Sequence, residues 1–158
     1  MFLLACFLIQ TGASGSECGK PTGLRQSSRP MPLCDILRSS SHYDGQRVVV
    51  FATYRVGFEA SELYCLSCSE RGGAWVEFDS LAGGEKAAEA LGRILHKKRG
   101  TVNGVFTGVF HSGGHSYGHL NSWSYEFSLD SVRDLKLIDH VGLPPKTLAP
   151  ESRSKVCQ

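Results

Sequence analysis

No stretch of this chain is apolar for long enough to cross a bilayer as a helix: the longest uninterrupted run, residues 1–9, is nine residues, where a span needs about 20. Charge of one sign is equally scarce. Lys and Arg number 17 against 15 Asp and Glu, a formal net charge of +2, and the cations are scattered apart from Lys97-Lys98-Arg99. A nucleic-acid binder gathers cations on one face to neutralise phosphates, so that class of partner is not expected. A nucleotide-binding loop is missing as well, because Gly83-Gly84-Glu85-Lys86 has neither the Walker spacing nor its Lys-Ser/Thr ending. No catalytic residue is assigned, and a non-enzymatic protein is expected.

What is present is enough apolar sequence for one core: 158 residues, 41% hydrophobic and 20% charged, the balance of a single globular domain. The apolar run at residues 1–9 is followed by Gly12, Ala13, Ser14, Gly15 and Ser16. That order predicts an export signal over 1–16, with the protein in the periplasm or attached to the cell envelope. Leu3-Leu4-Ala5-Cys6 is also similar to a lipobox, which would make Cys6 a lipid-anchored residue. Residues 17–32, rich in Ser, Gly and Pro, are expected to form a flexible linker, and 142–158 a flexible tail, leaving 33–141 as the folded domain. Six cysteines exceed what a cytosolic domain of this size usually carries, and export permits disulfides. Cys34, Cys65 and Cys68 are the candidates, their pairing left open.

Within the domain, Leu33, Ile36 and Leu37 have a helical spacing, so a short helix is expected to cap the fold. Val48, Val50, Ala52 and Tyr54 alternate with Val49, Phe51, Thr53 and Arg55 in a long first strand. A second strand is expected over 62–67 and a third over 74–79, with Ala74, Val76 and Phe78 on one face. From 84 to 99, Ala87, Ala88, Leu91, Ile94 and Leu95 follow a 3.6-residue period, which predicts a helix that Gly100 terminates. A fourth strand over 101–110 carries Gly104 and Gly108 on one face, as tight curvature requires. A Gly- and His-rich loop over 111–121 then leads to a fifth strand through Tyr125, Phe127 and Leu129, continuing irregularly to Ile138.

The order β-β-β-α-β-β, with one helix between the third and fourth strands, resembles the OB-fold, a five-stranded Greek-key barrel. Cys34-Asp35-Ile36-Leu37, the stretch from Tyr43 to Val48, Gly104-Val105-Phe106 and the stretch from Tyr117 to Asn121 are similar to phrases in uncharacterised exported bacterial proteins of this architecture. The resemblance implies a mainly β fold and a binding or interaction domain, with an envelope protein, a glycan or a small ligand as partner. OB-fold ligands lie across the second and third strands and under neighbouring loops. On this chain that surface involves residues 57–61, Tyr64, Trp75, Glu77, Tyr117, His119, Asn121 and Trp123.

Two side-chain groups suggest chemistry. Trp75, Tyr64 and Tyr54 offer aromatic faces on which sugars or bases stack. His111, His115 and His119 recur every four residues, and three neutral imidazoles would hold Zn or another divalent transition metal with a position open. That gives a different reading, a metal-binding protein or metal-dependent enzyme. The plainer one has His119 and Asn121 bonding their own loop, with His111 and His115 in solvent.

Overall fold

The strands alternate as the sequence predicts. In a computed structural model describing residues 29–57, 59–95 and 100–139, β2 (Gln46–Val56) turns Val48, Val50, Ala52 and Tyr54 inward, none more than 3% exposed. Around it lie β1 (Met31–Pro32), β3 (Ser61–Tyr64), β4 (Ala74–Phe78), β5 (Gly100–Tyr117) and β6 (Trp123–Asp139). The protein is mainly β. The export-type segment, most of the linker, the tail after Asp139 and Lys97-Lys98-Arg99 lie outside the described residues.

The six strands form one mixed sheet in the order β1-β2-β3-β4-β6-β5, and β5 pairs back onto β2, so the sheet closes into a ring. β2 runs antiparallel to both β3 and β5, whereas β4 runs parallel to β6. The ring is irregular rather than evenly laced. β3 and β4 share only two residue pairs, and the β5–β6 ladder shifts register in four places. Leu63, Ala74, Val76, Val102, Phe106, Phe110, Phe127 and Leu129 fill the interior.

Glycine makes the closure sterically feasible. A Cβ on Gly108 would lie 2.2 Å from the carbonyl oxygen of Ser128, and one on Gly104 would lie 2.6 Å from Leu135 Cδ2. Both positions need hydrogen where β5 and β6 approach most closely.

Helices complete the core. α1 (Leu33–Arg38) buries Leu33, Cys34, Ile36 and Leu37 and leaves Asp35 and Arg38 outside as an ion pair at 3.0 Å. α3 (Gly84–Ile94) lies between β4 and β5 in sequence and packs on β4 and β6 through Ala87 and Leu91. Its outer face carries Glu89 and Arg93, 2.9 Å apart at i and i+4.

Five expectations change. The helix expected to run on until Gly100 ends at Ile94, and Gly100 instead opens β5. There are six strands rather than five, because Met31 and Pro32 pair in parallel with Val50 and Phe51, so the predicted linker ends inside the sheet. The capping helix is two short helices, α1 and α2 (Ser40–Tyr43), broken at Ser39. The second strand stops at Tyr64, where the chain enters a 3₁₀ segment, Leu66–Arg71, that carries Cys68 to Cys34. The loop predicted over 111–121 is largely strand. β5 continues to Tyr117, which pairs with Trp123, and residues 113–116 bulge opposite a single residue, Ser124. Gly113 and Gly114, at φ +93° and +81°, absorb that bulge without ending the strand.

Candidate ligand-binding face

Strand register gathers the polar and aromatic side chains on the outer face of the ring. Arg55 on β2 pairs with Glu62 on β3, Glu62 with Trp75 on β4, Trp75 with Glu126 on β6, and Glu126 with His111 on β5. Their chain neighbours Tyr54, Leu63, Ala74, Val76, Phe127 and Phe110 point into the core. Alternation therefore puts Arg55, Glu62, Trp75, Glu126 and His111 in one row around the outside.

Glu62 anchors this row. Only 7% exposed, it takes the Arg55 guanidinium on Oε1 and accepts a hydrogen bond from Trp123 Nε1 on Oε2 at 2.9 Å. Two charge-assisted bonds offset the loss of hydration that burying a carboxylate entails. The Arg55 guanidinium carbon also stands 4.8 Å above the centre of the buried Tyr64 ring.

Trp75 and Trp123 form a tilted pair with ring centroids 4.8 Å apart and planes at 56°. Trp75 Nε1 donates to Glu77 Oε1 at 2.5 Å, and Glu77 is exposed. Gly118 turns the chain against both rings: a Cβ there would fall 2.5 Å from Trp75 Cδ2 and 2.8 Å from Trp123 Cε3. Past His119, Leu120 and Asn121 adopt left-handed backbone at φ 55° and 54°, a conformation that costs leucine of order 1–2 kcal/mol. Leu120 is nevertheless 81% exposed, an apolar tip on the turn that follows Gly118. Alongside Glu62, a groove of about 300 Å³ opens between Arg55, Tyr64, Ser69 and Gly72.

The other predicted site residues border this face. Tyr117 is buried and lies 4.4 Å, centre to centre, from the His115 ring. Its burial, reinforced by the negative charges of Asp44 and Glu126, pushes the phenol above its ordinary range. His119 is exposed, with Nε2 3.4 Å from Glu59 Oε2. Asn121 N–H donates to the Gly118 carbonyl at 3.2 Å, closing the turn. Tyr54 does not join Tyr64 and Trp75 as a platform. It points into the core toward Phe106, and burial raises its pKa.

The three imidazoles are not brought together. His111 stands across from Glu126, His115 against Tyr117 and His119 beside Glu59. Among the described residues, the group of three metal-ligating side chains that converges is Cys34, Cys65 and Cys68. Cys34 and Cys68 form a disulfide with Cα atoms 5.8 Å apart.

Sequence reasoning overlooked Arg55 and Glu62, whose role depends on register. It also passed over Gly114-His115-Ser116-Tyr117-Gly118, which has the letters of a Gly-x-Ser-x-Gly nucleophile motif. That motif works on a sharp turn from strand into helix. Here Ser116 is exposed in the bulge of a β-hairpin, so the context that would activate it is missing.

A second hollow, of about 290 Å³, lies between α3 and β2 and is lined by Tyr54, Val56, Phe78, Leu91 and Leu95. Its lining offers the Tyr54 and Ser61 hydroxyls and no charged side chain. Of these two hollows, the one at Glu62 is the one lined by charged side chains. Compared with known protein families, curated proteins and solved structures, the chain matches none. No helix among the described residues is long and apolar enough to cross a membrane.

Proposed function

We propose that this chain is an OB-fold-like, extracytoplasmic binding domain that seats a neutral, polyhydroxylated ligand of the glycan class on the outer face of β3 and β4. The observation that carries the reading is the half-buried Trp75–Trp123 pair, flanked by the carboxylates of Glu62 and Glu77. Indole faces stack on the apolar faces of sugar rings, and a carboxylate accepts from sugar hydroxyls. Glu77, bonded to Trp75 Nε1, and Glu126, across from Trp75, bring negative charge to the pair, which disfavours phosphate-bearing ligands.

The OB-like part of the proposal is supported by the ring order β2-β3-β4-β6-β5, by the parallel pairing of β4 with β6, and by α3 between β4 and β5. Export is supported by the apolar run at residues 1–9 and by the Cys34–Cys68 disulfide. Leu120 supports a second reading, an envelope protein as partner, because an 81%-exposed leucine on a strained backbone suits an apolar pocket on another protein.

The chain has two tryptophans, and both lie in this site. Intrinsic tryptophan emission therefore reports on nothing else. Titration with neutral oligosaccharides should shift that emission saturably, and Trp75→Ala should abolish binding while the protein remains folded by circular dichroism. Absence of any Trp75-dependent shift across such a panel would remove the glycan reading. Loss of partner capture in Leu120→Ser with sugar binding unchanged would instead assign the tip to a protein.

A further inference from the structure

On the inner side of β2, opposite Arg55 and the aromatic face, the packing leaves a gap. Helix α3 rests on β6 and β4 and scarcely touches β2, so a space of about 290 Å³ remains between helix and strand. Tyr54 and Val56, two apart on β2, form one wall, and Phe78, the last residue of β4, adds another. The helix side supplies the buried Leu91 and Leu95 together with the small residues Ala88 and Gly92. These four lie at i, i+3, i+4 and i+7, a single stripe. A Cβ on Gly92 would meet nothing within 4 Å, so space rather than a neighbour lies beyond it.

Protein interiors leave few voids larger than a water molecule, and an apolar pocket with a few convergent polar groups is the ordinary form of a small-ligand site. The walls restrict the occupant. No lining residue is charged, so a carboxylate, phosphate or ammonium group would lose its hydration there without a counter-charge. The polar function is a pair of hydroxyls. Ser61 Oγ donates to the Val76 carbonyl at 3.1 Å and is also hydrogen-bonded to Tyr54. With its one proton committed to Val76, Ser61 accepts from Tyr54, and lone pairs on the Tyr54 oxygen are left to accept from a ligand. Tyr54 is 3% exposed, and burial raises its pKa, so it stays a neutral phenol. An apolar cavity of about 150 Å³ holds benzene, so the space here takes a body of roughly two fused rings.

We propose that the hollow between α3 and β2 binds a small neutral molecule with an apolar body and one hydroxyl group, a phenol or alicyclic alcohol, whose O–H donates to Tyr54. The body lies against Val56, Phe78, Leu91 and Leu95. Its burial supplies the affinity, and the single hydrogen bond orients it and selects the hydroxyl. The site is independent of the Trp75–Trp123 face, because Tyr54 belongs to the core and neither indole lines the hollow.

The test is calorimetric titration of the full chain with 2-naphthol, a neutral bicyclic phenol, beside naphthalene and 2-naphthoate. 2-Naphthol should saturate one site per chain, naphthalene should bind about tenfold more weakly for want of the hydrogen bond, and 2-naphthoate should not bind measurably. Tyr54→Phe should bring the affinity for 2-naphthol down to that for naphthalene and leave naphthalene unchanged. Gly92→Leu puts a side chain into the open space and favours the helix. It should abolish binding of both while the melting temperature holds or rises. Trp75→Ala should bind 2-naphthol like the parent, which separates this site from the glycan face. No saturable binding of 2-naphthol overturns the proposal, as does binding that survives Gly92→Leu, ignores Tyr54→Phe, depends on Trp75 or extends equally to 2-naphthoate.

Discussion

The indole N–H of Trp123 donates to Glu62 Oε2 at 2.9 Å, linking side chains 61 positions apart. Arg55 holds the other oxygen of the same carboxylate. Glu62 is thus a structural keystone as well as a site residue. Glu62→Ala leaves the indole and the guanidinium without their shared acceptor, and is expected to cost about 2–3 kcal/mol. Glu62→Gln keeps one acceptor oxygen, for either the guanidinium or the indole, and should cost less than the alanine variant. Urea unfolding followed by tryptophan emission measures the two together, and an alanine variant as stable as the parent would refute the pairing.

The approach of Gly118 to the tryptophans gives a sharper contrast. An alanine methyl at Gly118 meets both indole rings at under 3 Å, on a backbone with φ +70°. Gly113 has φ +93° and no atom within 4 Å of the same position. Gly113→Ala should therefore cost only the left-handed strain, about 1–2 kcal/mol, whereas Gly118→Ala adds overpacking of roughly 1–3 kcal/mol and shifts tryptophan emission. Equal costs and unchanged spectra in the two variants would contradict the packing of Gly118 on Trp75.

These contacts mark where sequence pattern stops being informative. Alternation in Val48, Val50, Ala52 and Tyr54 is a local property, and so is the 3.6-residue period of Ala87 and Leu91, so both elements are legible in one dimension. Trp75 and Glu77 are legible as outward residues for the same reason. The row from Arg55 to Glu126 is set by cross-strand register, which sequence spacing does not encode. Gly113 and Gly114 read as a turn because glycine is a local breaker signal, yet pairing resumes at Tyr117 and Trp123 and the pair is absorbed as a bulge. Met31–Pro32 is too short to show any period at all.

The Cys34–Cys68 bond closes a loop with a sequence separation of 34. The chain-entropy estimate for such a loop is about 4 kcal/mol. Reduction should lower the urea midpoint by the corresponding amount, and Cys68→Ser should reproduce the loss without reductant. A midpoint unaffected by either would show that these two sulfurs are not joined in the folded protein.

Acidity offers a test at a different point of the ring. Asp130, 3% exposed, is ion-paired with Arg47 through one oxygen, while Oδ1 has no hydrogen-bond partner among the described residues. Burial raises its pKa above the ordinary carboxylate value, and the negative Asp79 adds to that, against the opposing pull of Arg47 and a hydrogen bond from Ser131. The folded protein therefore retains a proton at pH values where the unfolded chain has released it. By linkage, the stabilisation from that proton is complete below the unfolded carboxyl pKa, about 4, and is lost as pH rises through the raised value in the folded state. Asp130→Asn, which still offers Arg47 an oxygen, should remove this decline. The stability of the parent relative to Asp130→Asn should then fall as pH is raised from about 4, and level off once Asp130 is ionised. Urea midpoints for both proteins across that range supply the comparison. A parent that instead gains stability relative to Asp130→Asn as pH rises would mean that the Arg47 pair outweighs burial and that the pKa is lowered.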